Sequence, residues 1–100
     1  MYLNFVLITD DVIEASGNKN VVVRHLDLAS LSSVRKFAAE ILKSESRLDI
    51  LINNAGCVVL GKLMTEDGLE YQMQSNHFGH FLLTNLLMGK LELPKHKECI

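Results

Sequence analysis

The sequence predicts an α/β fold organised on a parallel sheet, and two observations carry that prediction. The first is the run Leu48-Asp49-Ile50-Leu51-Ile52, which stops abruptly in Asn53-Asn54-Ala55-Gly56. Its apolar residues fall on both faces of the pleat, as in a central strand covered by helices on each side. The second is a strand, helix, strand succession within about 35 residues, the length of a βαβ unit with a right-handed crossover. One hundred residues, 48% of them apolar, suit a single small domain.

The chain reads as follows. Tyr2 to Thr9 is rich in β-formers and reads as a strand or an arm. Asp10-Asp11 then cap a short helix through Val12, Ile13 and Ala15 that Gly17 ends. After the turn Gly17-Asn18-Lys19-Asn20, the β-branched run Val21 to Leu26 predicts a strand, with Asp27 at its carboxyl end. Ser30 is an N-cap candidate for a helix whose apolar positions Val34, Phe37, Ala38, Ile41 and Leu42 recur at helical spacing. Ser44-Glu45-Ser46-Arg47 leads back to the strand at Leu48, and the chain should turn sharply after Asn53 because Asn and Gly tolerate turn geometry. From these four residues alone, ordinary turn chemistry is the better account of Asn-Asn-Ala-Gly. A long helix from Leu69 to about Leu91 follows Thr65-Glu66-Asp67-Gly68; Asn76 and Gly79 predict a bend in it, and Pro94 ends it before a charged connection.

Composition excludes several classes of function. A net charge of -2 with interleaved signs offers no basic stripe for a nucleic acid. Cys57 and Cys99 form neither a metal-like pair nor a disulfide framework, so a reducing intracellular compartment is the default expectation. The apolar start is less than half the roughly 20 residues of a membrane span. No metal site is expected: His77 and His80 are three apart on the long helix, but leucines surround them and no acidic or cysteine ligand accompanies them.

The candidate chemistry sits at the carboxyl edge of the sheet, where open α/β folds bind ligands. A βαβ crossover places Asp27 and the Asn53 to Gly56 turn on that edge together, able to share one ligand. No Gly-x-Gly-x-x-Gly loop is present. Gly56 to Leu63 matches Gly-x4-Gly-Lys but carries Leu where a Mg²⁺-binding hydroxyl is needed, and Val58-Val59-Leu60 suit a phosphate cradle poorly. Neither tyrosine is followed four residues later by lysine; Val6 and Ser75 stand there instead.

The order of the pieces resembles a known family. Val23-Arg24-His25-Leu26-Asp27-Leu28, Ser33-Val34-Arg35, Leu48 to Gly56, Thr65-Glu66-Asp67-Gly68 and Ser75-Asn76-His77-Phe78-Gly79-His80-Phe81-Leu82-Leu83-Thr84 together resemble the short-chain dehydrogenases/reductases, and most closely their retinol dehydrogenase branch. The resemblance covers roughly Ile13 to Leu87.

It implies a Rossmann sheet, doubly wound and parallel, that binds NADP or NAD and exchanges hydride between nicotinamide and a lipophilic alcohol or carbonyl. By the same resemblance Asp27 would hold the adenine edge and Leu28 would flank it. Asn54, Ala55 and Gly56 would line the cofactor cleft, Asn53 would help fix the sheet, and Asn76 matches the catalytic asparagine of a water-mediated proton relay.

The family's Thr-Gly-x3-Gly-x-Gly loop has no counterpart before Ile13, and its catalytic serine and Tyr-x3-Lys pair would lie beyond Ile100. The expectation is therefore a partial Rossmann domain with an incomplete βαβα unit: a divergent arm over 1–12, a family-like core over 13–93 and a tail over 94–100. Alone it should be catalytically inactive and marginally stable, with cofactor binding in doubt. A full-length parent would be cytoplasmic or associated with the endoplasmic reticulum. The alternative is a non-catalytic product that acts by associating with another chain through an exposed sheet edge.

Overall fold

A computed structural model describes residues 2–92 and 98–99. The elements in order are α1 (Tyr2–Ser16), α2 (Leu31–Ser44), β1 (Ile50–Leu51), α3 (Tyr71–Met73), a π-helical segment (Gln74–Phe78), α4 (Gly79–Glu92) and β2 (Glu98–Cys99). The two strands pair in parallel, Ile50 opposite Glu98 and Leu51 opposite Cys99.

Helix α2 forms where its cap and apolar stripe place it. The Ser30 hydroxyl accepts the Ser33 amide at 3.2 Å, supplying one of the acceptors that the first turn lacks. Val34 and Ala38 face inward and pack against Leu83 and Leu87 of α4, forming the core. Phe37, Ile41, Leu48 and Leu51 close its rim. Leu42, expected in the stripe, stays 39% exposed at the edge of the α2–α4 contact. Helix α4 buries Leu83, Leu87 and Leu91 at helical spacing, while Phe81, and Phe78 in the π-helical segment before it, face outward. The Lys90 ammonium ties α4 to the end of α2 by donating to the Glu45 carbonyl at 2.6 Å.

Four expectations are corrected. Tyr2 to Thr9 is helical and continuous with the helix expected after Asp10. A helix satisfies its backbone within the segment, whereas a strand needs a neighbour, and no ladder reaches these residues. Gly17 does end the helix, at φ +69°, donating its amide to Ile13 at 2.9 Å.

Val21 to Leu26 joins no ladder either. It is held by side chains: Leu26 packs on the α2–α4 core, and Arg24 bonds Ser44 at 3.1 Å across to α2.

The strand at Leu48 pairs over two residues, and Ile50 and Ile52 are 52% and 63% exposed. Leu48 and Leu51 pack on the helical core while Ile50 and Ile52 do not, so the expectation of a strand buried on both faces fails. Nor is a doubly wound sheet present among the described residues, which form a two-stranded one. The helix end expected at Pro94 and the polar connection around Lys95 to Lys97 lie outside the described residues.

Candidate nucleotide cleft

The long helix expected from Leu69 to Leu91 is interrupted where Asn76 and Gly79 stand. After a single turn, Tyr71–Met73, the backbone widens into a π-helical segment, and the Gly79 amide bonds the Gln74 carbonyl five residues back. Such bulges are frequent at functional sites. Here the bulge presents Asn76 to the turn that follows β1. The Asn76 Oδ1 accepts the Cys57 amide at 2.8 Å and its Nδ2 donates to the Cys57 carbonyl at 2.7 Å. One residue thus clamps the peptide immediately after Asn53-Asn54-Ala55-Gly56 from both sides.

Neighbouring contacts fix the rest of the turn. The Ala55 carbonyl accepts a bond from His80 Nε2 at 2.8 Å, which makes that nitrogen the protonated one. Asn53 donates through Nδ2 to the Thr84 hydroxyl at 3.0 Å, tying the end of β1 to α4. Farther on, the Val59 amide donates to Gln72 Oε1 at 3.0 Å. Two amides of the Gly-x4-Gly-Lys stretch are therefore already engaged by side chains, which argues physically against a phosphate cradle there.

On the opposite wall the chain turns at Asp27. Its Oδ1 accepts the Ala29 amide at 2.9 Å, its own amide donates to the Ser33 hydroxyl at 2.9 Å, and its carbonyl accepts from Ser30 at 3.1 Å. The turn carries Leu28 against the start of α4. A Cβ built on Gly79 would stand 2.7 Å from the Leu28 carbonyl oxygen, so only glycine lets the helix come this close.

Between the two walls lies a cleft of about 590 Å³. Asp27, Leu28, Ala55, Gly56 and Asn76 all line it, together with Cys57, Tyr71 and Ser75. Asn53 and Asn54 are outside the lining: Asn53 reaches α4 and Asn54 is exposed. The volume is of the order found for small-molecule and cofactor pockets.

Several participants had no sequence signal that separated them from turn or surface residues. Cys57 enters as the residue gripped by Asn76, and Thr65 and Asp67 bond the buried carboxamide of Gln74 beside the cleft. His77 and His80 diverge, His77 lying beside the rings of Phe78 and Phe81 and His80 bonding Ala55. No group of three or more metal-ligating side chains occurs among the described residues. Nor does any helix among them have the length and apolarity to cross a membrane.

The family model described as short chain dehydrogenase matches residues 8–98. Retinol dehydrogenase 13 of Homo sapiens is 60% identical over 75 residues, covering 75% of this chain and 23% of the relative. Retinol dehydrogenase 14 of Homo sapiens is 58% identical over 77 residues, covering 77% and 23%. The chain thus spans less than a quarter of the length of these relatives. Among solved structures, a short-chain dehydrogenase from Streptomyces avermitilis aligns with a TM-score of 0.69 at 26% identity, covering 90% of this chain and 34% of that one. An uncharacterized protein from Mycobacterium paratuberculosis aligns with a TM-score of 0.60 at 51% identity, covering 68% and 24%.

Proposed function

The chain belongs to the short-chain dehydrogenase family, with an α/β Rossmann-type fold and relatives in the retinol dehydrogenase branch, and on that premise we propose that it forms the adenosine side of an NAD(P)(H) site. The protein carrying it would exchange hydride between nicotinamide and a lipophilic, retinoid-like alcohol or carbonyl. The observation that carries this reading is the convergence of Asp27, Leu28, Ala55, Gly56 and Asn76 on one cleft from three separated parts of the sequence.

In this reading Asp27 and Leu28 receive the adenine edge. Ala55 and Gly56 allow the nucleotide close to the backbone, since neither has a long side chain. Asn53, bonded to Thr84, holds the end of β1 in place, and Asn54 completes the turn. Asn76 holds the floor of the cleft through Cys57 and contributes from the bulge to proton transfer. When bound, the nicotinamide cofactor supplies the hydride chemistry.

In this reading the chain contributes a partial Rossmann domain with an incomplete βαβα unit. No tyrosine of the hundred residues has a lysine four positions later, so the general acid–base pair of the family is not in this chain. Such a group alone contributes about 10²- to 10⁴-fold to rate. On this reading the hundred residues by themselves give no measurable turnover.

Titration of the ¹⁵N-labelled chain with NADP⁺, NAD⁺ and AMP tests the reading. Amide shifts should concentrate at Asp27–Ala29, Ala55–Cys57 and Asn76. Shifts scattered over the surface, or none at millimolar nucleotide, would overturn it, as would oxidation of retinol with NADP⁺ by this chain alone for the claim of inactivity.

A second reading has its own observation. Ile50 and Ile52, in and beside the parallel pair, are more than half exposed, which suits a non-catalytic product that associates with another chain. Concentration-dependent elution from a sizing column without nucleotide shifts would favour it.

A further inference from the structure

Gln74 opens the π-helical segment and is fully buried, at 0% exposure. Its carboxamide is spoken for on every side. Oε1 accepts from the Thr65 hydroxyl, and Nε2 donates to Asp67 Oδ2 at 2.9 Å and, at 3.5 Å, to the Leu28 carbonyl. Asp67 Oδ2 also accepts the Leu31 amide in the first turn of α2, at 2.8 Å.

Thr65 in turn organises its own loop. Its hydroxyl accepts the amides of Asp67 and Leu69 at 3.2 and 3.3 Å, and Gly68 turns the chain at φ +75°. One carboxamide thus joins the nucleotide-side turn, the 65–68 turn and the start of the bulge.

Asn76 lies two residues farther along the same bulge and makes the double bond-pair to Cys57. The backbone carbonyl of Gln74 accepts from Gly79, the bond that closes the widened turn. A side chain locked at both ends of its amide fixes where that carbonyl sits, and so fixes the winding that carries Asn76.

We propose that Gln74 is a positioning residue: the bonds of its buried carboxamide to Thr65, Asp67 and the Leu28 edge set the π-helical winding that aims Asn76 at Cys57. Its relevance to catalysis rests on the cofactor reading above, but the geometric claim does not need a ligand. Gln74 also makes the two walls of the cleft one mechanical unit, because the Leu28–Leu31 edge and the Asn76 bulge share its amide.

The test is amide hydrogen exchange of the whole 100-residue chain, followed at the Cys57 amide, with the Asn76 side-chain NH₂ resonance as a second probe. Gln74→Met keeps length and removes every bond of the amide. Cys57 should exchange at least tenfold faster and the Asn76 NH₂ signal should move toward its free position, while Leu83 and Leu87 in the core keep their protection.

Thr65→Val removes the Oε1 partner, and with it the acceptor of the Asp67 and Leu69 amides, but leaves the Nε2 bonds of Gln74 in place; it should produce the same pattern at two- to fivefold, which covers the case in which Gln74→Met does not fold. Unchanged Cys57 exchange in either folded variant would overturn the proposal. So would equal losses at Cys57 and Leu87, which mark a general loosening. If the pattern appears and nucleotides still cause no shifts, the positioning role stands and the cofactor reading falls.

Discussion

Gly79 and Gly89 lie in the same helix, and alanine at the two positions should change stability in opposite directions. Both substitutions remove a helix-interior glycine, worth up to about 1 kcal/mol in favour of alanine. At Gly89 the new methyl meets nothing within 4 Å, so the propensity gain is retained. At Gly79 it would stand 2.7 Å from the Leu28 carbonyl, 3.0 Å from Leu28 Cβ and 3.1 Å from its Cδ2. The nearest of these is backbone, which cannot swing aside as a side chain could. Forcing the Leu28 turn away from α4 should cost about 1–3 kcal/mol, the range for overpacking a close contact. The two variants should therefore differ by about 1–3 kcal/mol, with G89A more stable than the parent and G79A less stable or at best equal. Urea unfolding followed by circular dichroism gives the midpoints, and the Leu28 and Ala29 amide resonances report whether the turn has moved in G79A alone. Equal upward shifts of both midpoints would refute the reasoning, because they would mean that Leu28 does not press on the start of α4.

Other perturbations test neighbouring parts of the structure. Ser30→Ala removes the acceptor of the Ser33 amide and should lower stability by about 1 kcal/mol; an unchanged denaturation midpoint would show that the cap does not form. Leu87→Ala, at a position 1% exposed, should cost about 2–5 kcal/mol, enough in so small a core to abolish a cooperative melt, and a sharp transition at the parent's midpoint would place the core elsewhere. Asn76→Ala removes both bonds to Cys57 and should weaken nucleotide-induced shifts at Ala55–Cys57 while leaving the α2–α4 core resonances in place; uniform shifts across the core would assign Asn76 to folding rather than to the cleft.

What could be read from the sequence follows the range of the interactions involved. Helix α2 was legible because its cap and its stripe of Val34, Phe37 and Ala38 are determined within one segment. The irregularity near Asn76 was legible too, since Asn and Gly in an apolar helix demand a reason, although a π-helical winding could not be told from a kink. Strands were harder. Val21 to Leu26 has the composition of a strand, yet a strand exists only in a ladder, and nothing in those residues says whether a neighbour is beside them. Tyr2 to Thr9 failed for the same reason in reverse: a helix completes its own hydrogen bonds and won where no ladder was offered. The order of elements brings Asp27 and the Gly56 turn to one sheet edge, the family resemblance adds Asn76, and all three line one cleft. The Gln74 bridge has no signature in the sequence because its partners, Thr65, Asp67 and Leu28, are separated from it along the chain and each looks like an ordinary turn or surface residue alone.

Ile52 brings the question of association to a single side chain. Fully burying an isoleucine is worth roughly 1.5–3 kcal/mol, but at 63% exposure only about a third of that, on the order of 0.5–1 kcal/mol, is realised here. Ile52→Thr should therefore cost the isolated chain no more than about 1 kcal/mol, since the hydroxyl is left in water. If this face pairs with another chain, the same substitution removes contacts made only in the assembly. The sizing-column profile should then shift toward the monomer, and its concentration dependence should weaken. A loss well above 1 kcal/mol in dilute chain, with an unchanged elution profile, would mean that the chain itself covers Ile52, which would remove the physical basis for the association reading.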